Sequence, residues 1–377
     1  MNSGILQVNH RFFNKILTYH KVKYSPVAEI YKFDNFNEYN YLVDVNSIFS
    51  NSPSGLIIDR TASIKMPLLM HLDRPWTIPT SHLDFDQCFQ HRVNELTEKY
   101  NSINIFWSGG IDSTAVLVGF LNHCRDLRKL RVLYSTFSIK ENPYFFLLLQ
   151  EYPDLELIDF GGDVYMKQQF DGIFVTGDGA DDLTASIDES FFDRYGYKTL
   201  VSPWQEFFST VVADSKFIDF CERFFSLSGK SIATVLEARW WFYTSCKIHK
   251  FPTKSIDNIN EYQGIPIGFF NCDVFENYMF FNTDSIITGS QYQTYKQILK
   301  DYIFKFDKNT EYYKNKTKVS SPQIEWYRRK KILLDNTRHF AILGNGQRLR
   351  TTNLPLLSEK DYRSEFGNSL DYLFLPA

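Results

Sequence analysis

Two glycine-rich runs hold the side chains in this sequence best suited to chemistry. They are Ser108-Gly109-Gly110-Ile111-Asp112-Ser113-Thr114 and Thr176-Gly177-Asp178-Gly179-Ala180-Asp181-Asp182-Leu183. In the first, paired glycines permit a tight turn and let the backbone approach an anion closely. A helix starting there presents free N–H groups and the positive end of its dipole. Ser108, Ser113 and Thr114 add hydroxyl donors, which completes a cradle for phosphate. Asp112 would repel phosphate by itself, and it belongs in the cradle if it holds Mg²⁺, which bridges carboxylate and phosphate oxygens. The run lacks the Gly-Lys-Ser/Thr ending of a Walker loop. Its plainer alternative is an ordinary strand-turn-helix connection with an acid near the helix start. The second run invites a calcium-loop reading but lacks the acid at the twelfth position.

Such runs act only if strands and helices aim them. Residues 103–107, 129–134, 155–159 and 172–176 read as short strands, and 112–124 and 143–151 as helices between them. Strands alternating with helices predict an α/β fold, a parallel sheet with helices on both faces. Ligands bind such sheets beyond the carboxyl ends of the strands, where both runs fall. Ahead of this unit, 84–99 reads as an amphipathic helix with Phe85, Cys88, Phe89, Val93 and Leu96 on one side. Residues 1–80 read as a small β-rich domain with strands at 27–31, 41–45 and 55–58. Beyond residue 182 the pattern turns helical and aromatic, with helices at 232–247 and 292–304. Residues 339–351 alternate around Asn345-Gly346, a hairpin signal, so Gly344-Asn345-Gly346 reads as a turn rather than a phosphate loop. The expected division is 1–80, 81–330 and a C-terminal extension over 331–377 carrying the hairpin.

The first run, set after a strand, resembles the PP-loop of the N-type ATP-pyrophosphatases over residues 101–182. The second run is similar to the Ser-Gly-Glu-Gly-Ala-Asp-Glu-Leu signature of asparagine synthetases within that superfamily. The resemblance implies that Ser108, Gly109, Gly110, Asp112, Ser113, Thr114 and Gly177 bind ATP through its pyrophosphate. It implies that Asp112 and Asp181 face each other across Mg²⁺, and that a carboxylate is adenylated and converted to an amide with release of AMP and pyrophosphate. Asp178 stands where the family has Glu, one methylene shorter, with either a substrate role or a turn role. Aligned on the family's C-terminal basic segment, Lys316 falls on the catalytic lysine and Lys314 on its arginine. Lys318 is the nearest competitor, and Lys300 is a further phosphate contact. The family's Glu-x-Arg-x-Pro segment is matched imperfectly by both Glu237-Ala238-Arg239 and the run from Glu261 to Pro266.

The chain also departs from that family. Asn2 stands where asparagine synthetases expose a cysteine, and the N-terminal part is short for a glutaminase domain. The expected partners are therefore a small-molecule carboxylate and an amine or ammonia, with a separate glutaminase as one nitrogen source. Two other readings stay open: adenylation of a nucleobase or tRNA, and a nucleotide-binding protein without catalysis.

Composition narrows the field. A net charge of -3 gives no footprint for bulk nucleic-acid binding. No run approaches the length of a membrane span and no leader pattern opens the sequence, so the expected compartment is the cytoplasm. Five cysteines without a C-x-x-C pair read as reduced thiols. The 35 Phe and 23 Tyr read as core packing. The charge run Arg328-Arg329-Lys330-Lys331 reads as a solvated helix face or, alternatively, a polyanion contact.

Overall fold

Ile103, Ile105 and Val175 are β-branched and fully buried, a combination that suits strands covered on both faces. They lie at the centre of a five-stranded sheet in a computed structural model. The structure describes residues 37–49, 56–64, 75–159, 170–184, 189–212, 214–249, 267–283, 296–316, 340–342 and 348–350. The first elements are α1 (Asn37–Phe49), β1 (Leu56–Asp59), α2 (Phe85–Lys99), β2 (Ile103–Phe106), α3 (Ile111–His123), β3 (Leu130–Tyr134), α4 (Thr136–Glu141), α5 (Pro143–Leu149), β4 (Glu156–Asp159) and β5 (Ile173–Thr176). Then come α6 (Ala180–Leu183), α7 (Glu189–Tyr195), α8 (Trp204–Val211), α9 (Ser215–Ser226), α10 (Val235–Ser245), β6 (Cys246–His249), β7 (Ile267–Gly268), α11 (Asp273–Phe281), α12 (Gln297–Asp307), α13 (Thr310–Asn315), β8 (Phe340–Ile342) and β9 (Arg348–Arg350).

The sheet order is β4-β3-β2-β5-β7 and every pairing is parallel. The α/β reading therefore holds, and the four strands expected from sequence are all present. The chain winds from β2 outward through β3 to β4, then crosses to the other flank of β2 to lay down β5. Between β2 and β5 the winding reverses, which opens a crevice at their carboxyl ends. The fifth strand, β7, was not anticipated. It is two residues long, too short to show a period.

Helix α3 is buried on nearly every side, from Ile111 to Phe120 apart from Asp112, because α2 and α12 both pack on it. The amphipathic expectation for α2 is met. Asp84 caps it in a box with Gln87, and Cys88, Phe89, Val93 and Leu96 face the core. Phe89 stacks on Tyr302 of α12 at 4.0 Å with rings inclined by 10°, which fixes α12 against α2. The aromatic-rich second half also forms core. Phe208, Phe217, Phe220, Phe224, Trp241 and Phe242 are all buried.

Some expectations need correction. Residues 41–45 are helix within α1, not strand. Leu42, Val45, Ile48 and Phe49 are buried, a spacing of three and four that only a helix puts on one face. Among the described residues of 1–80 the one strand is β1, which pairs antiparallel with β6. The helix expected over 232–247 ends at Ser245, because Cys246–His249 is taken up by that pairing. The helix expected over 292–304 starts at Gln297 and runs to Asp307. The C-terminal hairpin holds as far as it is described, with β8 and β9 antiparallel. Its turn, the strand at 27–31, the basic run at 328–331, Lys318 and Glu261 lie outside the described residues. Among the described residues no helix is long and apolar enough to cross a membrane.

Candidate active site

The two runs meet at the crevice between β2 and β5. Gly109 turns the chain out of β2 with φ 78°, and a side chain there would collide with the Ser138 carbonyl and the Glu141 side chain. Gly110 begins α3, and no side chain caps it. Ser108 and Ser113 brace the loop. The Ser108 amide donates to Ser113 Oγ at 3.1 Å, and their hydroxyls lie 3.0 Å apart. The result is an uncapped helix start under a glycine turn with two hydroxyls beside it. Thr114 differs from expectation. It is fully buried, and its hydroxyl accepts from Trp107 Nε1 at 3.0 Å, so it supports the loop from beneath.

Across the crevice, the loop after β5 touches the first one. A Cβ on Gly177 would lie 2.8 Å from Asp112 Cβ, so only glycine lets the loops approach this closely. Asp112 and Asp181 converge on Lys296, which lies between them. Its ammonium pairs with Asp112 Oδ2 and, at 2.6 Å, with Asp181 Oδ1. The Lys296 side chain is only 3% exposed, while Asp181 is half open to solvent. Asp178 also lies here, with Oδ2 accepting from the Thr176 hydroxyl at 2.7 Å. Asp178 keeps an exposed surface, and the protein beside it displaces part of its water. That desolvation raises its carboxyl above the ordinary range; the Thr176 hydrogen bond opposes the rise and the Asp181 charge adds to it.

Lys316 reaches the other side of the glycine turn. Its Nζ pairs with Glu141 Oε1 at 2.7 Å, and that carboxylate lies 3.5 Å from where a Gly110 Cβ would sit. Tyr312, one turn earlier, donates to the Gly109 carbonyl at 3.2 Å. Burial pushes its phenol far above the ordinary tyrosine range, so it stays a neutral donor. Lys300, on α12, lies within reach of the Lys316 charge. It is 1% exposed, and its Nζ has no hydrogen-bond partner among the described residues. Burial, followed by the Lys316 charge, lowers its ammonium pKa.

Glu237 does not belong to this site. Its carboxylate accepts from the Ala233 and Thr234 amides, both at 2.9 Å, closing a capping box at the start of α10. Lys314 is exposed at the end of α13. Sequence reasoning missed Lys296, Glu141 and Tyr312. Lys296 had a faint signal, since it precedes Lys300 by four and the two share a helix face. Glu141 had none, because only the tertiary fold brings the end of α4 to the glycine turn.

The donor set fits a small hard cation with a phosphate ligand. Two carboxylates reach one point, and Mg²⁺ is usually held by one or two carboxylates with phosphates and water completing the shell. Among the described residues no cluster of three or more His, Cys, Asp or Glu would hold a metal by itself. No protein-family model matches the chain, and no curated protein matches it in sequence.

Proposed function

We propose that this chain is an ATP- and Mg²⁺-dependent ligase of the asparagine-synthetase-like PP-loop type. In this reading it adenylates a carboxylate and converts it to an amide, releasing AMP and pyrophosphate. The observation that carries the reading is the buried Lys300 ammonium, which has no hydrogen-bond partner among the described residues and lies within reach of the Lys316 charge. A buried ammonium without a hydrogen-bond partner is costly, and an anion restores the balance. A polyphosphate tail suits a site made of two lysines, free helix N–H groups and the Ser108 and Ser113 hydroxyls.

The roles divide by position. The glycine turn, Ser108 and Ser113 cradle the pyrophosphate end of ATP. Asp112 and Asp181 would hold Mg²⁺, which when bound draws negative charge from the departing pyrophosphate. Lys300 and Lys296 balance phosphate charge from α12. Lys316 stabilises the oxyanion that forms when the amine attacks the acyl adenylate. Asp178, beside Asp181 and Lys296, orients the carboxylate or the amine. Holding ATP and acceptor side by side supplies much of the rate through orientation. The nitrogen comes from ammonia, a substrate amine or a separate glutaminase.

The test is ATP–pyrophosphate exchange and AMP release with a panel of carboxylates, ammonia and amines. We expect substrate-dependent exchange that falls at least about 100-fold in Asp112→Ala. In Lys316→Met, exchange should persist while amide formation drops about 100-fold. Exchange that survives Asp112→Ala unchanged would refute the reading.

A further inference from the structure

The contact of Lys296 with both carboxylates goes beyond these roles. Lys296 is the N-cap of α12 and adopts φ 52°, ψ 37°, a left-handed conformation that L side chains rarely take. Its carbonyl still accepts the first helical bonds, from Leu299 at 3.0 Å and Lys300 at 3.1 Å. The strained start sends the side chain inward, where its ammonium pairs with Asp112 and Asp181 together. Two carboxylates this close repel each other, and one ammonium between them offsets half of their charge.

We infer that Lys296 is a tethered cation that occupies the divalent-ion position of the free protein, so that metal binds only together with nucleotide. This rests on the ligase reading above. A Mg²⁺ ion held by the same two carboxylates at about 2.1 Å from each oxygen would overlap the ammonium. Metal and ammonium therefore exclude one another. A metal ion arriving alone must push Lys296 off the two carboxylates that balance its charge. Arriving with a triphosphate, it brings both the missing ligands and an anion for the displaced Lys296. Nucleotide thus raises metal affinity, and metal raises nucleotide affinity by the same factor. The free protein stays closed to divalent ions in bulk solution.

The test uses Mn²⁺, whose free concentration is read from its paramagnetic resonance signal. It is titrated into the full chain with and without α,β-methylene-ATP, which resists cleavage at the reacting bond. Wild type should bind Mn²⁺ only with the analogue present. Lys296→Met should bind Mn²⁺ alone at least tenfold more tightly than wild type does. Lys296→Gln, which keeps a polar tip, is the companion variant should Lys296→Met not fold. Thermal melts give a second readout, with Mn²⁺ alone stabilising the variant and leaving wild type unchanged. Mn²⁺ binding to wild type without nucleotide, as tight as in the variant, overturns the tether. So does nucleotide-dependent Mn²⁺ binding to wild type together with a variant that binds Mn²⁺ alone no better. In both cases the ligase reading survives if pyrophosphate exchange is intact. Failure of Mn²⁺ to bind wild type even with the analogue, together with no exchange, overturns both.

Discussion

A lysine buried without a partner costs folding free energy, and proteins keep such groups where a ligand removes the cost. Lys300 has a buried ammonium with a depressed pKa, so the folded state disfavours its charged form. The penalty is fully present below the folded-state pKa and vanishes once pH exceeds the unfolded value. Wild type therefore gains stability from this group as pH rises through that interval. Lys300→Met removes the charge and keeps the bulk. We expect it to be more stable than wild type by about 1 kcal/mol near neutral pH, with the gap closing at alkaline pH, as measured by urea unfolding. The same variant should lose most of the thermal stabilisation that pyrophosphate gives wild type. At this scale the sequence disclosed Asp112, Asp178 and Asp181, because each sits in a contiguous run whose glycines announce close backbone approach. It did not disclose Glu141, whose relation to Gly110 and Lys316 exists only after α4 and α13 pack.

Among the elements, the crevice follows from strand order alone. With β2 flanked by β3 on one side and β5 on the other, the loops leaving β2 and β5 must diverge and then face each other. Gly177 sets how closely they face. A methyl group there would press on Asp112 Cβ at 2.8 Å and on the Ser113 amide at 2.9 Å. Both are held by α3, which is packed on both sides and yields little. Gly177→Ala should therefore cost about 1–3 kcal/mol of stability and separate the two carboxylates. Pyrophosphate exchange should fall more than tenfold, with its dependence on Mg²⁺ moved to higher concentration. The strands and helices of this unit were legible because their apolar runs are dense and bounded by glycine or polar residues. The region 41–45 misled because Tyr41, Leu42, Val43 and Val45 favour strands locally, whereas burial of Ile48 and Phe49 one turn on decides for a helix.

At the scale of the whole molecule, the N-terminal segment is tied into the helical half. Strand β1 pairs with β6, and Arg60 just after it bonds the Thr244 carbonyl at 2.8 Å and Glu276 at 2.9 Å. Arg60 thus joins β1 to α10 and α11. Removing one partner of a buried ion pair strands the other, so Arg60→Ala should cost about 2–4 kcal/mol with an unchanged denaturant slope. The sequence could not show this tie, since nothing local marks Leu56–Asp59 and Cys246–His249 as partners.

That pairing also sets a schedule for biosynthesis. At about 5–20 residues per second, the ribosome needs roughly 10–40 s to advance from Asp59 to Cys246. Throughout that interval Leu56–Asp59 has no strand to bond, and a nascent chain presents it as an open edge to chaperones and to neighbouring chains.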